Sequence, residues 1–565
     1  IQWRKDYYQK RIDAINARVY KGSLNLTGNG TLVMLGNNSY EGETTVGGNA
    51  TLLAFAESIG HKDDATKAAV DPEVTVKTGG TFGVLSSYDD QFTQRGHIES
   101  KEATAGKLTI NVETGGTLYV DAASTVKVKA VNFNGTDKNV KIGLAGADSQ
   151  SLIDAYNGKK DAISGTFETA DANDTVFNDV TITKDDVESV FFELGDHEAA
   201  GNKITTTMVK KDGVTIESFA NNANQQSIAA AIAASGNALT GDVLASKSEA
   251  EVAHTLSTLD DDFYVTARNA LVTNATQVTR AVIDQASGMG EGRRAEFDEG
   301  RAHVWATGMG RWGDTDGNAQ SLDVDFTVGM VGAEFNVCQA TKLGAFFGYG
   351  DTDYSGAQGK IDGEDKHFGI YGLTDIGNIS MTYGIAYTDE DRDTTRYLGG
   401  TATSHSENAS VLQGFVEGAY NFDLGVAKVS PYVGFTWARV ETDDVVDGAL
   451  GHNFKTEGVK DDIQIASIGA RGMLPFTMGT MPVAVKADLG YSHFFGDTDG
   501  IARVQMGEGG QFATIEGSDL KGQVNFGLGI VGKVAKHATV GVSYTGAWGS
   551  DVDSHGIMGN LRINF

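Results

Sequence analysis

The 565 residues carry 75 acidic against 45 basic side chains, a formal charge of −30, which argues against nucleic acid as a partner and against polybasic docking on an anionic membrane. No run of 18 apolar residues occurs, so no transmembrane helix is expected, while the length is ample for several domains. Glycine is abundant at 73, proline scarce at 4, and the single Cys338 allows no internal disulfide.

The chain opens on Ile1-Gln-Trp-Arg-Lys-Asp6, with no apolar signal-peptide core after it. If the C-terminal half is a membrane barrel, as read below, the protein is exported, so either a signal has been removed or the chain is a fragment; a fragment is expected, because the chain opens directly on stem-like repeats. Residues 1–216 read as a stem. Four units share a Gly/Asn turn, a threonine and an apolar β-run: Gly28-Asn-Gly-Thr-Leu-Val-Met34, Gly48-Asn-Ala-Thr-Leu-Leu53, Gly79-Gly-Thr-Phe-Gly-Val84 and Gly115-Gly-Thr-Leu-Tyr-Val120. Glycine and asparagine tolerate the left-handed corner that such a turn needs. A constant turn at irregular spacing predicts a right-handed parallel β-helix whose coils carry insertions, such as Glu57–Glu73. Asp71–Val76, Lys107–Val112, Val126–Val131 and Val140–Leu144 supply further rungs. Short strands at Val176–Thr183, Ser189–Leu194, Lys203–Val209 and Val214–Ile216 are expected to cap the solenoid.

Residues 217–298 switch to helical signals. Gln225–Ala234 is alanine-rich, and Ser246–Leu259 is helix-permissive with acids near its start. Asp262, a candidate N-cap, precedes a segment to Ala286 with Thr, Asn and Gln throughout. It is too polar to face lipid, yet at ~1.5 Å per residue it is ~36 Å long, a bilayer thickness. A polar helix of that length just before a barrel belongs in the bore. Arg268, Asn274 and Arg280 are its candidate lumen residues.

Residues 299–565 read as a closed transmembrane barrel of twelve antiparallel strands, so the fold class is all-β with a small helical linker. In Met381–Thr388, Met381, Tyr383, Ile385 and Tyr387 alternate with Thr382, Gly384, Ala386 and Thr388, and Val483–Tyr491, Val524–Val531 and Ala538–Trp548 behave alike. Large, often aromatic residues opposite small or polar ones fit an apolar outer band around a wet lumen. Alternation puts Glu417, Arg471, Lys486 and Asp488 inward, where Glu417 and Asp488 are candidate partners for Arg268 and Arg280. Links after even strands are short, Asp375–Asn378 among them. Links after odd strands are expected to be long, acidic and outside, as in Asp443–Asp461, with similar openings at Gly313-Asp-Thr-Asp316, Gly350-Asp-Thr-Asp353 and Gly496-Asp-Thr-Asp499. These acids read as solvated loop mouths, since none continues as an EF-hand loop.

The last strand, Ile557-Met-Gly-Asn-Leu-Arg-Ile-Asn-Phe565, alternates to a terminal aromatic. With this ending, residues 262–565 resemble the translocator of type Va autotransporters. The stretch Gly28–Leu53, with Gly36-Asn-Asn-Ser-Tyr-Glu-Gly42 and Thr44-Thr-Val46, resembles the passenger-associated transport repeat of their stems, subtilase-type passengers included. The resemblance implies an outer-membrane protein that exports and displays its own passenger. It implies periplasmic chaperones and the barrel assembly machinery as partners, and Ile557, Leu561, Ile563 and Phe565 as an assembly signal. Some relatives cleave the chain at paired asparagines in the pore helix. Here Asn269 and Asn274 are separate, and Asn221-Asn222 lies upstream, so this cleavage is not expected. No G-x-S-x-G elbow, H-E-x-x-H or subtilase serine signature occurs, and no enzyme, metal or cofactor is expected. The alternatives are an adhesin whose stem binds a host ligand, or the remnant of a serine protease whose catalytic domain lies upstream. A monomer in outer-membrane lipid is expected.

Overall fold

Four threonines set the stacking of the stem. Thr31 pairs with Thr51, Thr51 with Thr81 and Thr81 with Thr117, so each repeat read from sequence is one coil and the threonines form a column. The turns before them use positive φ at Gly48 (64°), Asn49 (68°), Gly79 (77°) and Gly115 (77°), where a glycine or asparagine is least strained. The computed structural model describes residues 22–36, 38, 40, 42–60, 71–90, 96–287, 302–338 and 340–565. Parts of the Gly36–Gly42 stretch, the middle of the Glu57–Glu73 insertion, the chain start and the 298/299 boundary lie outside them.

Two parallel five-stranded sheets form the coils. One holds Leu24–Leu26, Thr44–Val46, Glu73–Val76, Thr109–Val112 and Ala130–Phe133. The other holds Gly30–Met34, Ala50–Ala54, Thr81–Val84, Thr117–Asp121 and Asn139–Gly143. Leu52, Phe82 and Leu118 stack fully buried between them. The rung expected at Val126–Val131 is two strands, Thr125–Val128 and Ala130–Phe133, in different sheets. Thr125–Val128 pairs in parallel with Ile163–Thr169, which pairs antiparallel with Lys203–Lys210, and that strand with Phe192–Ala200. The switch to antiparallel pairing ends the solenoid. Val176–Thr183 is not a strand: Asp174 accepts from the Val176 amide (3.1 Å) and Asn178 from the Gly201 amide (2.6 Å), local bonds that replace a ladder. Val214–Ile216 leads into a 3-10 turn, Ile216–Phe219, and Ser149–Tyr156 is a helix capped by Asp148.

At the end of its strand, Asp121 is buried, and burial pushes its carboxyl up to about 6 against the pull of the Gly146 and Ala123 amides. A raised folded-state value means that its stabilising contribution is full below about pH 4 and is lost as pH rises through 6, about 3 kcal/mol in all. Hydrogen exchange corrected for intrinsic rate should therefore show Ala123 and Gly146 less protected at pH 7 than at pH 4. Equal protection would mean that Asp121 titrates normally.

The chain packs as two compact units, one up to Asn221 with Ile232–Thr255, the other Asn222–Ala231 with Leu256–Phe565, so the expected linker is shared between them. Its helices are Ala223–Ser235, Ala238–Leu244 and Glu249–Leu259.

In the second unit twelve antiparallel strands close into a barrel. They are β1 Ala302–Asp316, β2 Ser321–Cys338, β3 Thr341–Gly356, β4 Gly359–Ile376, β5 Ile379–Leu398, β6 Thr401–Tyr420, β7 Lys428–Thr442, β8 Lys460–Met478, β9 Met481–Gly496, β10 Gly522–Ala535, β11 Ala538–Gly549 and β12 Val552–Asn564. β12 pairs with β1 across the seam. Val331, Phe347, Ile370, Ile385, Val433, Ile468, Leu489 and Val542 are exposed on the outside, the apolar band of a membrane barrel.

The odd links differ from expectation. β1–β2, β3–β4, β5–β6 and β11–β12 join by tight turns, because the strands run on past the apolar band. The Gly313–Asp316 and Gly350–Asp353 acids are strand residues, not loop mouths. Beyond Tyr349, Thr352 and Tyr354 stay buried while Asp351 and Asp353 face out: alternation continues, with acids replacing apolar residues. Two long links remain. Residues 443–459 hold the hairpin Val445–Ala449/His452–Thr456, and residues 497–521 hold Ile501–Gln505/Phe512–Glu516. Together they make an antiparallel four-stranded sheet.

Candidate functional site

The bore is occupied by the helix Phe263–Ala286, 24 residues long and buried over most of its length. Isolated, so polar a helix would be marginal; here the barrel supplies both its apolar contacts and its polar partners. Near its start, Phe263, Ala267 and Ala270 pack against Leu322, Val324, Tyr354 and Ile361. Leu271, Val272 and Ala275 meet Val411, Val440, Ile463, Ile465 and Phe494. Lower down, Val278, Ala281 and Val282 meet Trp305, Phe326, Met330, Phe346 and Phe415. The inner face is thus more apolar than the wet lumen expected from sequence. Among the described residues, three crevices beside the helix hold about 20, 30 and 10 Å³, lined in turn by Asn269, Thr273 and Phe494, by Tyr264, Arg268 and Thr442, and by Asn274, Arg311 and Val324.

Polar contacts fall in three tiers. At the upper mouth Asp262 occupies the N-cap position without capping its own helix. Its carboxylate instead accepts from the Asn318 (2.5 Å) and Ala319 (3.1 Å) amides in the β1–β2 turn. Tyr264 donates to Asp447 (2.8 Å), and Arg396 pairs with Asp261 and lies 3.7 Å from Asp447. Burial pushes the Asp447 carboxyl above the ordinary range, opposed by the Arg396 guanidinium and the Tyr264 hydroxyl. Arg268 pairs with Asp461 (2.7 Å) and donates to the Asp497 carbonyl (2.7 Å); it meets neither Glu417 nor Asp488. Its partners come from the β8 start and a folded-back loop, which strand alternation cannot place.

Midway, Arg280 donates to Asp488 (2.8 Å). Arg471 grips Glu417 with both terminal nitrogens and lies 3.2 Å from both Asp284 and Asp488, with its guanidinium 4.3 Å from the Tyr432 ring centroid. Lys486 lies two residues from Asp488 on the same face of β9 and is half-buried. Asn274 accepts from Arg311 (2.7 Å), and Thr279 bonds Gln413.

At the lower end, Gln285 donates to Thr307 (2.8 Å) and its backbone carbonyl accepts from Arg562 (2.8 Å). Arg562 also pairs with Glu334 (2.6 Å), which Lys342 and the Tyr371 hydroxyl share. Sequence reasoning followed the outward face of the last strand, on which Ile557, Leu561 and Phe565 are exposed and Ile563 half-buried. It missed Arg562 between them, although a lone arginine inside an apolar terminal strand was the available signal. Among the described residues no group of three or more His, Cys, Asp or Glu side chains is arranged to hold a metal ion.

Residues 304–545 match the family model of the autotransporter β-domain. Two extracellular serine proteases of Serratia marcescens are each 23% identical, over 84% of this chain and 49% of their own length. The chain therefore spans about half the length of these curated relatives. Similar solved structures include the translocator domain of the autotransporter NalP from Neisseria meningitidis (14% identity, 53% of this chain and 97% of that one, TM-score 0.44) and the β-domain of the Bordetella autotransporter BrkA (18%, 47% and 100%, TM-score 0.37).

Proposed function

Residues 304–545 are an autotransporter β-domain in the outer membrane, and from that premise we propose that the chain translocates and displays its own β-helical stem without being an enzyme itself. The observation that carries this is the direction of the helix. Its first turns bond Asp447, Asp461 and Asp497 on the side of the long links, and its last turn bonds Thr307 and Arg562 near the chain end. The segment before Phe263 therefore leaves the bore on the side that faces outward in bacterial barrels.

Labelling tests the direction. In a Cys338→Ser background, Val446→Cys should react with an impermeant maleimide on whole cells and Asn378→Cys should not. Both positions are exposed, whereas Asp447 beside the first is only 3% exposed and would report poorly. Equal labelling at both sites would overturn the topology.

The partners we propose are periplasmic chaperones and the barrel assembly machinery, with the outward face of β12 as the assembly signal. Phe565 supports this: its side chain is 67% exposed at the end of that face, and its amide is tied to the Ala302 carbonyl (2.9 Å). Deleting Phe565, or changing it to Ser, should cut the folded, heat-modifiable barrel several-fold while synthesis continues. Wild-type levels would argue against the signal.

A second reading, the carrier half of a secreted serine protease, is favoured by what the two Serratia relatives are named. Under either reading these 565 residues should not react with a fluorophosphonate serine-hydrolase probe.

A further inference from the structure

We propose that Arg562 is a positioning residue that couples closure of the β1–β12 seam to seating of the helix end. Arg562 lies on the last strand, three residues before the chain ends, and pairs in register with Trp305 on the first. It is 2% exposed, and one guanidinium serves two separate bodies. One terminal nitrogen donates to the Gln285 carbonyl in the helix's last turn; the other donates to Glu334 on β2. Glu334 is also held by Lys342 on β3 and by Tyr371 on β4, and the Tyr371 hydroxyl accepts from the Trp305 indole on β1 (2.6 Å). The cluster thus joins the last strand to the helix end on one side and, through Glu334, to the first four strands on the other, and Glu334, Lys342, Tyr371 and Trp305 are all buried.

The charges say why the helix is needed. Two cations, Arg562 and Lys342, both pair with Glu334 deep in the barrel. The carbonyls at the C-terminal end of a helix carry partial negative charge and favour a cation there. With the last turn seated, the Arg562 N–H has a buried acceptor. With it absent, the guanidinium loses that acceptor, and taking an acceptor from a buried charged donor is costly. A barrel whose seam has zipped without the helix end is thereby disfavoured relative to one that encloses it.

The test is a double-mutant cycle in the full chain. Ala281→Pro breaks the helix one turn above its end, and Arg562→Met removes the bridge while keeping much of its length. Alone, Arg562→Met should lower the unfolding temperature of the barrel by about 5 °C and raise the frequency of channel openings in planar bilayers several-fold. In the Ala281→Pro background it should add less than half that shift. Arg562→Lys, which keeps the charge, should restore the closed state in part. Equal shifts in both backgrounds, or lower stability with unchanged channel closure, would show that Arg562 serves the barrel wall alone and overturn the proposal. If Arg562→Met fails to assemble, Arg562→Lys is read by the same cycle: additivity overturns, sub-additivity supports.

Discussion

Deleting Tyr264–Gln285 while keeping all twelve strands should raise single-channel conductance in planar bilayers by about tenfold or more. A helix with its side chains is ~10 Å across. Here it packs against the wall on several sides, and the crevices beside it among the described residues are water-sized. Removing it would leave a continuous lumen lined by Arg311, Glu417, Arg471 and Asp488, which water and ions can solvate. The same deletion would strip apolar cover from Trp305, Phe326 and Phe494, so unfolding should also move to lower temperature. Unchanged conductance would mean that the helix does not close the channel, and the carrying observation for translocation would fall with it.

The second large effect is expected at Arg471. Arg471→Met leaves the three carboxylates of Glu417, Asp284 and Asp488 together without the guanidinium that joins them, while Arg280 and Tyr432 still bond Asp488. Breaking a buried charge network by removing one partner costs about 3–5 kcal/mol, because the stranded charge remains desolvated. Arg439 provides the control. It pairs with Asp462 at 2.7 Å, but on the outward face of β7, where the side chains are exposed and such a pair adds little. Denaturant unfolding in detergent should therefore separate Arg471→Met from Arg439→Met by several kcal/mol, and adding Glu417→Gln to Arg471→Met should recover part of the loss. Equal effects of the two arginine variants would show that water reaches the Arg471 cluster freely.

The parts of this fold that were legible in the sequence follow one physical rule, and the parts that were not follow its failure. Period-2 hydrophobicity marks a strand only where one face meets lipid. It therefore found β5 at Ile379–Thr388 and stopped at Asp389, although pairing continues to Leu398. The inward residues Glu390, Arg392, Thr394 and Arg396 are all buried there, but a polar-in, polar-out strand has no hydrophobic alternation to read. The stem column was legible because a left-handed turn restricts residue choice at each repeat. The helix was legible because length and polarity together have few explanations. Arg280 found Asp488 because both lie on regular elements; Arg268 met Asp461 and a loop carbonyl, whose positions depend on how residues 497–521 fold back.

The continuation of the strands past the apolar band gives the mouth a height. From Tyr349 to Gly356, seven residues at ~3.3 Å each and a tilt near 40° rise about 18 Å above the aromatic at the lipid boundary. The wall is not level. β2 through β6 stand tall, whereas β11 and β12 meet at Ser550-Asp551, immediately beyond Trp548. The rim is a slanted collar, high on one flank and low on the other. A chain leaving the bore at Asp262, held by the β1–β2 turn, starts clear of the headgroups, beside a parapet whose outer surface carries Asp325, Asp353, Asp362 and Asp393 in one row across four neighbouring strands.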